Sequence, residues 1–219
     1  MSQPTDRVFA GDAAIHAGFG KRVHAWCLAH CAARYERMVA ERKRALFAGL
    51  RGDILEIGPG AGPNLGYYPK DCRWIGVEPN PFMHRYLREA AARASLRVEI
   101  RTLAAEGLPA NDQSVDVVVS TLVLCSVREP VTVLREINRV LKPGGRFVFL
   151  EHVAAPEGTR LRAVQRFIAP LWKRVADGCH PDRETGPEIE RAGFATVHYD
   201  SFRLPLGPVS TQIAGFAVK

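Results

Sequence analysis

The chain has 219 residues, of which 47% are hydrophobic and 24% are charged, so it can bury a sizeable core and is not a disordered chain. Its formal net charge of +7 is common among arginine-rich soluble proteins, and we favour that interpretation over charge-driven binding to nucleic acid or a membrane surface. Five scattered cysteines without a Cys-x-x-Cys pair argue against a disulfide framework and favour a reducing cytoplasm. No signal peptide is recognisable, and no apolar stretch reaches the roughly 18 residues that cross a bilayer, so we expect a soluble protein without a transmembrane segment.

The N-terminal segment predicts one long basic helix. Residues 1–17 are polar without a clear period, whereas the stretch from about Lys21 to Phe47 lacks internal glycine and proline and carries a broad apolar face. We favour an ordinary packing helix, but its basic side could also lie over a ligand pocket as a lid or rest on a membrane as a peripheral contact. Four of its side chains have helical spacings that could bind zinc, namely His24, Cys27, His30 and Cys31. Because no second ligand pair occurs elsewhere, we expect no metal.

A strand, a glycine-rich loop and a second strand follow. Asp53–Ile57 alternates like a buried strand and runs directly into three glycines, Gly58, Gly60 and Gly62. Glycines at such a turn let the backbone approach a ligand closely. About twenty positions later, Arg73–Glu78 predicts a second strand that ends in a carboxylate, which can accept hydrogen bonds from both hydroxyls of a ribose. The two features together predict a site for a nucleoside cofactor.

The rest of the chain alternates helices and strands. Asn80 as N-cap and Pro81 as first helical residue mark a helix that runs to about Ala94. Val115–Leu124 is a nearly continuous β-branched run, which is typical of a central parallel strand buried on both faces. The other predicted strands are Arg97–Leu103, Arg146–Val153, Thr196–Phe202 and Gln212–Val218, and the other predicted helical segments are Asn64–Tyr68, Pro130–Val140, Leu161–Ala176 and Glu184–Ala192.

This alternation predicts an α/β fold with a doubly wound, mainly parallel seven-stranded sheet. A short segment rich in proline and glycine, Leu204–Pro208, joins the last two strands and predicts an antiparallel hairpin at the C-terminal edge. We expect a single domain over residues 1–219, with an N-terminal helical lid at 1–48 and a cofactor-binding core at 50–219.

The identity of the nucleoside cofactor depends on two residues near the glycines. A dinucleotide fingerprint needs a third glycine where Pro63 stands, and a P-loop needs a Gly-Lys-Ser/Thr sequence that does not follow. Glu56, in the strand before the loop, would repel a pyrophosphate but suits a ligand with a cationic amino-acid moiety. We therefore favour S-adenosylmethionine (SAM), whose sulfonium and ammonium groups are both positive, over NAD or ATP.

Two sets of motifs give the sequence a family resemblance. Glu56–Gly62, Gly76–Glu78, Ala105–Pro109, Asp116–Leu124 and Leu141–Gly145 resemble the successive motifs of the class I SAM-dependent methyltransferases. Ser120–Val127, Glu151–Ala155, Asp177–Cys179 and Gly215–Lys219 resemble, more narrowly, the thiol S-methyltransferases of the methyltransferase-like seven group. The resemblance covers residues 50 to 219 and implies a Rossmann-like methyltransferase fold, with SAM as cofactor and S-adenosylhomocysteine as product.

The resemblance also implies roles for individual residues. Glu56 would lie near the methionine ammonium or organise the loop, and Glu78 would take the ribose hydroxyls. The backbone of Ala105 and the side chain of Glu106 would meet the adenine edge, while Thr121 would approach the methionyl part. The expected cofactor contacts are Glu56, Gly58, Pro59, Gly60, Gly62, Asn64, Glu78, Pro79, Ala105, Glu106, Thr121, Leu122 and Leu124.

Methyl transfer from a sulfonium is an in-line displacement, for which a protein mainly positions the acceptor and excludes water. A thiol with a pKa of about 8.5 is partly ionised at neutral pH, so a weak base or a positive field is enough. His152, after the fifth strand, and Asp177, in a later loop, are the candidate catalytic residues. Cys179 is not expected to be a nucleophile, because direct transfer needs no covalent enzyme intermediate.

The leading hypothesis is a SAM-dependent methyltransferase that acts on a small-molecule acceptor, with a thiol sulfur as the first choice. The alternative is N- or O-methylation of a lipid head group or another small metabolite, and a non-catalytic SAM-binding module is a third hypothesis. A nucleic-acid methyltransferase is disfavoured, because no Asn/Asp-Pro-Pro-Tyr/Phe-like motif follows the fourth strand and no basic domain is appended. An NAD-dependent oxidoreductase is the least favoured.

Overall fold

The computed structural model describes residues 18–219, which form a seven-stranded sheet with helices on both faces. The strands are β1 Asp53–Ile57, β2 Arg73–Val77, β3 Val98–Arg101, β4 Val115–Thr121, β5 Leu141–His152, β6 Thr196–Arg203 and β7 Thr211–Val218. The helices are α1 Phe19–Cys31, α2 Ala33–Phe47, α3 Met83–Ala94, α4 Pro130–Val140, α5 Arg160–Val175 and α6 Thr185–Glu190, with short 3-10 turns at Leu65–Tyr67 and Gly207–Val209. Residues 1–17 lie outside the described residues, as do the side chains of Phe19, His24, Cys27, Leu28 and Cys31, so the alternative of a zinc site on the first helix falls outside them too.

The sheet has the strand order β3-β2-β1-β4-β5-β7-β6. Strands β1 to β5 pair in parallel, whereas β7 pairs antiparallel with both β5 and β6. This topology confirms the predicted α/β fold with a mainly parallel sheet and an antiparallel C-terminal hairpin. The strand order reverses between β1 and β4, and in such sheets a ligand crevice opens at the carboxyl ends of the strands on either side of the reversal.

Strand β4 lies at the centre of the sheet and is buried on both faces, as its β-branched run predicted. Val118 packs on one face with Leu134 of α4. Val117 and Val119 pack on the other face with Leu87 of α3. Because successive side chains of a strand point to opposite faces, one continuous apolar run supplies both halves of the core.

The prediction of one helix from Lys21 to Phe47 is wrong, since the structure has two helices that meet at Ala32. Glu36 N still donates to Ala32 O at 2.9 Å, so the interruption is a single turn residue that no glycine or proline marks in the sequence. Helix α2 is anchored in the core by Lys43, which is fully buried with its Nζ 2.6 Å from Glu36 Oε2.

The ends of two neighbouring strands also differ from the prediction. Strand β4 ends at Thr121, because Leu122 adopts a left-handed φ of 59° that turns the chain out of the sheet. Strand β5 begins at Leu141 instead of Arg146, because Leu141 already pairs with Val115 of β4. The register then shifts, and regular pairing continues from Arg146 opposite Val117. The Lys-Pro-Gly-Gly sequence that was expected to lie outside the strand is therefore part of it.

Helix α3 begins at Met83 and not at Pro81. Asn80 nevertheless shapes the turn before it, because its Oδ1 accepts a hydrogen bond from Phe82 N at 3.1 Å. Its side chain therefore satisfies a backbone donor as an N-cap would, at a position slightly upstream of the regular helix.

Candidate active site

The carboxyl ends of four parallel strands meet at one edge of the sheet and carry most of the predicted site residues. Gly58 follows β1, Glu78 follows β2, Thr121 ends β4 and His152 ends β5. In open α/β sheets this edge holds the ligand. The fold thus brings together residues that the sequence separates by almost a hundred positions.

The glycine loop after β1 combines close packing with open space. Gly58, Gly60 and Gly62 have φ angles of 56°, 55° and 82°, which other residues rarely adopt. A Cβ on Gly58 would lie 2.6 Å from Val123, and one on Gly62 would lie 2.9 Å from Leu87. A Cβ on Gly60 would meet no atom within 4 Å. The loop is therefore packed against the protein at two glycines and leaves room for a ligand beside the third.

Glu78 holds this loop in place. It is 6% exposed, and its Oε2 accepts a hydrogen bond from Gly60 N at 2.9 Å while its Oε1 accepts one from Asn80 N at 2.8 Å. The pKa of Glu78 is raised to about 7, chiefly by burial and also by the charge of Asp177, while the hydrogen bonds from Asn80 N and Gly60 N and the charge of Lys21 oppose the rise. Since a carboxylate has about four lone-pair sites, two remain for hydroxyl donors.

Glu56 is the centre of a buried network under the same loop. Its Oε1 accepts from Asn64 Nδ2 at 2.7 Å, and its Oε2 accepts from Tyr68 OH at 2.8 Å and Trp74 Nε1 at 3.1 Å. Burial raises the pKa of Glu56, and these donors and Lys43 oppose the rise. Of the two roles expected for Glu56, its contacts match the one that organises the loop.

Asn64 connects this network to the end of β4. Its Nδ2 also lies 3.0 Å from Thr121 Oγ1. Its Oδ1 is buried and has no hydrogen-bond partner among the described residues. Buried polar atoms are nearly always paired, so this oxygen is an acceptor that the described residues leave unused.

The segment expected at the adenine edge follows β3. Ala105 is buried, and the half-buried Glu106 accepts a hydrogen bond from Arg128 N at 3.1 Å. This bond ties the segment to the turn that follows β4. The two prolines of the expected contact set lie where the sequence places them, Pro59 inside the glycine loop and Pro79 directly after Glu78.

Glu151 at the end of β5 is a buried carboxylate beside the crevice that was not among the predicted site residues. It is fully buried, and its Oε1 accepts from Ser120 Oγ at 2.5 Å and Val123 N at 3.2 Å. Its Oε2 has no partner among the described residues, and burial raises its pKa. These bonds hold the turn in which Leu122 has its left-handed φ and Leu124 is buried. A carboxylate inside an apolar strand, as at Glu56, was the signal that could have identified it.

Three buried side chains converge beside this turn. His152 Nε2 lies 2.9 Å from Cys179 Sγ, and Trp172 Nε1 donates to the same sulfur at 3.2 Å. The nearby Cys125 thiol and His152 lower the pKa of Cys179, and Cys179 in turn raises the pKa of Cys125. The sequence predicted that His152 lies at the carboxyl ends of the strands, but it did not predict the contact with Cys179.

Asp177 lies on the loop that carries Cys179, at an exposed position with a left-handed φ of 47°. Its negative charge contributes to the raised pKa of Glu78. The loop is therefore within electrostatic range of the glycine loop, although Asp177 itself is not buried with His152.

Helix α1 lies across the connection between β2 and α3. Asn80 Nδ2 donates to Lys21 O at 3.1 Å, and the Arg22 guanidinium lies 5.6 Å from the centroid of the Phe82 ring. A cavity of about 250 Å³ lies between α1, the glycine loop and α3, bordered by His30 and Ala61. Helix α1 is therefore in contact with the segment that directly follows Glu78.

Comparisons with known proteins agree with this geometry. Residues 55–149 match the family model described as a methyltransferase domain. The rat thiol S-methyltransferase TMT1B is 39% identical over 210 residues, which cover 89% of this chain and 85% of that protein. The human TMT1A is also 39% identical, over 84% of this chain and 81% of the relative. The chain belongs to the thiol S-methyltransferase family. It is a class I SAM-dependent methyltransferase, and SAM is its cofactor.

Solved structures with lower identity share the fold of this methyltransferase. A SAM-dependent methyltransferase from Aquifex aeolicus has a TM-score of 0.61 and 19% identity, over 90% of this chain and 97% of that one. A putative methyltransferase from Bacillus halodurans has a TM-score of 0.63 and 18% identity, over 81% and 97%. No helix of this methyltransferase between residues 18 and 219 is long and apolar enough to span a membrane.

The residues at the crevice of the methyltransferase fit SAM. The free space beside Gly60 admits a ligand, and the remaining lone pairs of Glu78 suit a ribose diol. The unpaired Oδ1 of Asn64 suits an ammonium donor. The three groups lie at the ends of β1 and β2, where a class I nucleoside site is expected.

Proposed function

We propose that this enzyme transfers the methyl group of SAM to the sulfur of a small-molecule thiol. The observation that carries the proposal is the identity of 39–41% to thiol S-methyltransferases of rat, mouse and human over at least 84% of this chain and at least 80% of theirs. A bacterial phosphatidylethanolamine N-methyltransferase from Cereibacter sphaeroides is 31% identical over 64% of the chain, so the identity favours a thiol over a lipid amine.

The proposed cofactor contacts follow from the site. Glu78 accepts hydrogen bonds from the ribose hydroxyls, and Gly58, Gly60 and Gly62 line the methionyl and ribose parts. Asn64 Oδ1 accepts from the methionine ammonium, and Thr121 with its neighbouring leucines borders the methionyl chain. The backbone of Ala105 and the Glu106 carboxylate face the adenine. The support for these contacts is the free space, the lone pairs and the unpaired amide oxygen of the crevice.

Bound SAM supplies a methyl group that its sulfonium already activates. The protein has to hold the acceptor sulfur in line with that methyl group and exclude water. We place the acceptor near the turn after β4 and the end of β5, where His152 and the Asp177 loop lie. A positive or hydrogen-donating environment there favours the thiolate, which is the nucleophilic form. The acceptor proton leaves to solvent, and the methyl carbon exchanges its bond to the sulfonium for a bond to the acceptor.

We also propose that the chain forms one methyltransferase domain in which residues 18–48 are a lid over this crevice; residues 1–17 of the expected 1–48 lid lie outside the described part of the chain. The support is the position of α1, whose Lys21 carbonyl accepts a hydrogen bond from Asn80 next to Glu78. Helix α2 connects α1 to the core through its buried Lys43 and Phe47.

The test is a panel of acceptors with methyl-labelled SAM. Small alkyl and aryl thiols, amines, phenols and vesicles of phosphatidylethanolamine are compared under identical conditions. Thiols are expected to be methylated at least tenfold faster than the other classes. Methylation of amines or of the lipid without methylation of any thiol would refute the proposal, and binding of SAM without any transfer would point to a non-catalytic SAM-binding protein.

A further inference from the structure

Three classical metal-ligating side chains meet at a buried point beside the crevice. Cys125 lies in the turn after β4, His152 ends β5, and Cys179 lies in the loop after α5. The two sulfurs and a ring nitrogen of His152 all lie within 4.8 Å of one another, and all three residues are buried. Isolated core cysteines behave as small apolar side chains, but two cysteines and a histidine converging from three segments form a set of ligands.

The surrounding protein holds these three groups in place. His180 N donates to Cys125 O at 2.8 Å, so the loop that carries Cys179 is tied to the turn that carries Cys125. Arg183 Nη1 donates to Val127 O at 2.8 Å and also to Leu124 O, and so fixes the same turn a second time. The ligand atoms are therefore brought together by fixed backbone and not by mobile surface loops.

The contacts of the sulfur of Cys179 resemble the outer contacts of a metal-bound thiolate. Trp172 Nε1 donates to that sulfur at 3.2 Å, and such N–H donors commonly orient metal ligands and stabilise their charge. Zn–S distances of about 2.3 Å and Zn–N distances of about 2.0 Å imply ligand atoms roughly 3.5–3.8 Å apart in a tetrahedron. In the structure the ligand atoms lie at most 4.8 Å apart, and the closest pair, His152 Nε2 and Cys179 Sγ, is 2.9 Å apart. Each ligand atom would therefore have to move by less than about 1 Å to coordinate a cation.

We propose that Cys125, His152 and Cys179 bind one zinc-class divalent cation, with a fourth coordination position open toward the methyl acceptor. Two thiolates and an imidazole are a ligand set that borderline-soft cations select over magnesium or calcium. Three protein ligands with one open position are also the arrangement of catalytic zinc sites, whereas structural sites use four protein ligands.

The open position gives the site a role in the reaction, and this step rests on the proposed thiol methylation. Cys125 directly follows Leu124, one of the expected cofactor contacts, and Cys179 lies two residues after Asp177, whose charge contributes to the raised pKa of Glu78. A thiol that coordinates the cation loses its proton to solvent. Its sulfur then forms the bond to the methyl carbon as the carbon–sulfonium bond breaks, and the neutral thioether leaves the cation.

The first experiment measures metal binding without reference to activity. Reduced, chelator-treated full-length protein is titrated with Co²⁺, and the protein as purified is analysed for bound zinc by elemental mass spectrometry. One equivalent of Co²⁺ is expected to give the intense visible and near-ultraviolet bands of a tetrahedral cobalt thiolate. Cys125→Ser and Cys179→Ser are expected to lose or strongly weaken these bands.

Cys72→Ser is the matched control, because Cys72 is a buried free thiol that is not one of the three converging ligands. It should keep the wild-type spectrum. The wild-type titration needs no variant to fold, so absence of cobalt bands together with absence of zinc overturns the proposal. The proposal is also overturned if mild peroxide oxidises the wild-type protein to a Cys125–Cys179 disulfide, with loss of two hydrogens, and the reduced protein binds no metal. The two cysteines would then be a redox pair.

The second experiment adds the acceptor thiol to the cobalt protein, first without SAM to record the spectrum and then with SAM to measure methyl transfer. A shift of the cobalt bands is expected when the acceptor sulfur enters the open position. An unchanged spectrum with continued thiol methylation would remove the role of the cation in the reaction and leave the proposed function intact. A shifted spectrum without any methyl transfer would support the metal site and refute the proposed function.

Discussion

Glu56 and Glu78 are buried carboxylates on either side of the same loop, but their partners differ. Glu56 uses its oxygens on three side-chain donors of the protein, whereas Glu78 accepts from two backbone N–H groups and keeps lone pairs free. The residue type alone cannot separate the two roles. The donors around each carboxylate separate them, and we therefore propose that Glu56 supports the loop and that Glu78 contacts the ligand.

The raised pKa of Glu78 predicts that SAM binding strengthens as the pH rises. At pH values below about 7, the carboxyl of the cofactor-free protein is protonated and is a poorer acceptor for the ribose hydroxyls. The association constant should therefore rise by up to tenfold per pH unit between about pH 5.5 and 7 and reach a plateau near pH 8. Calorimetric titration with SAM across this range measures the slope, and a constant affinity would contradict the assignment.

The raised pKa of Glu78 affects the stability of the cofactor-free protein in the opposite direction, because this stability decreases as the pH rises. A carboxyl whose folded pKa lies above its unfolded value of about 4.5 stabilises the fold fully below that value and loses this contribution as the pH rises through about 7. The thermal stabilisation produced by SAM should therefore be larger at pH 8 than at pH 5.5.

Glu78→Gln is expected to weaken SAM binding about 10- to 100-fold at pH 8 and to remove its pH dependence, because a charged hydrogen-bond acceptor contributes about 1.5–3 kcal/mol. Glu157→Gln is the matched control, since the side chain of Glu157 is 63% exposed and pairs with Arg162 and Arg166. It should bind SAM as the wild type does. Equal affinities of the two variants would exclude Glu78 as a cofactor contact.

At the scale of the glycine loop, two substitutions with the same backbone strain should have opposite consequences. Gly58 and Gly60 have nearly equal positive φ, so alanine at either position costs about 1–2 kcal/mol of stability. Gly58→Ala also presses on Val123 and should lose a further 1–3 kcal/mol or so. Gly60→Ala meets no protein atom but fills the space beside the loop, so it should fold well and bind SAM at least tenfold more weakly.

Chemical denaturation gives the stability of both loop variants, and calorimetry gives their affinity for SAM. Wild-type affinity in a folded Gly60→Ala protein would show that the ligand does not occupy the space beside Gly60. The comparison separates packing from binding, which a single glycine variant cannot do.

We expect helix α1 to affect binding of the methyl acceptor and not the stability of the fold. Deletion of residues 1–31 removes it but keeps α2, which is anchored by buried Val39, Lys43 and Phe47. The truncated protein should stay folded and bind SAM within a fewfold of the wild type, while its KM for the acceptor thiol rises about tenfold or more because the lid no longer excludes water. Deletion of residues 1–17 keeps α1 and isolates its contribution, and unchanged acceptor kinetics after the longer deletion would refute the lid.

At the scale of the whole molecule, local sequence patterns predicted the sheet and the cofactor loop. They did not predict which side chains from distant segments come into contact. The β-branched run of β4 and the spaced glycines after β1 are each determined by neighbours in sequence, so their structure could be foreseen. His152 and Cys179 are 27 residues apart, and their contact depends on how α5 returns across the sheet. The break at Ala32 likewise has no glycine or proline to reveal it.

The carboxyl ends and the amino ends of the parallel strands differ in function. The carboxyl ends of the parallel strands carry the groups that we propose to face the ligand. At their amino ends, the Asp116 carboxylate accepts hydrogen bonds from Lys142 Nζ at 2.7 Å and Asp53 N at 2.8 Å. Lys142 keeps the pKa of Asp116 below its usual value, although burial opposes this. A change at the amino ends should therefore affect folding without altering the crevice.

Gly52→Ala tests this separation. A Cβ on Gly52 would overlap the Asp116 carboxylate, whereas one on Gly49, which has nearly the same φ, would meet no atom within 4 Å. Gly49→Ala should therefore lose only the strain of about 1–2 kcal/mol, and Gly52→Ala should lose about 1–3 kcal/mol more. SAM at 100 times its Kd adds about 2.7 kcal/mol to the folded state, which raises the Tm of a chain of this size by roughly 5–10 °C. Thermal scans should show this increment in the wild type and in both variants, because neither substitution touches the crevice. If Gly52→Ala lost the increment, the two ends of the strands would be coupled and the cofactor site would depend on the Asp116 contacts.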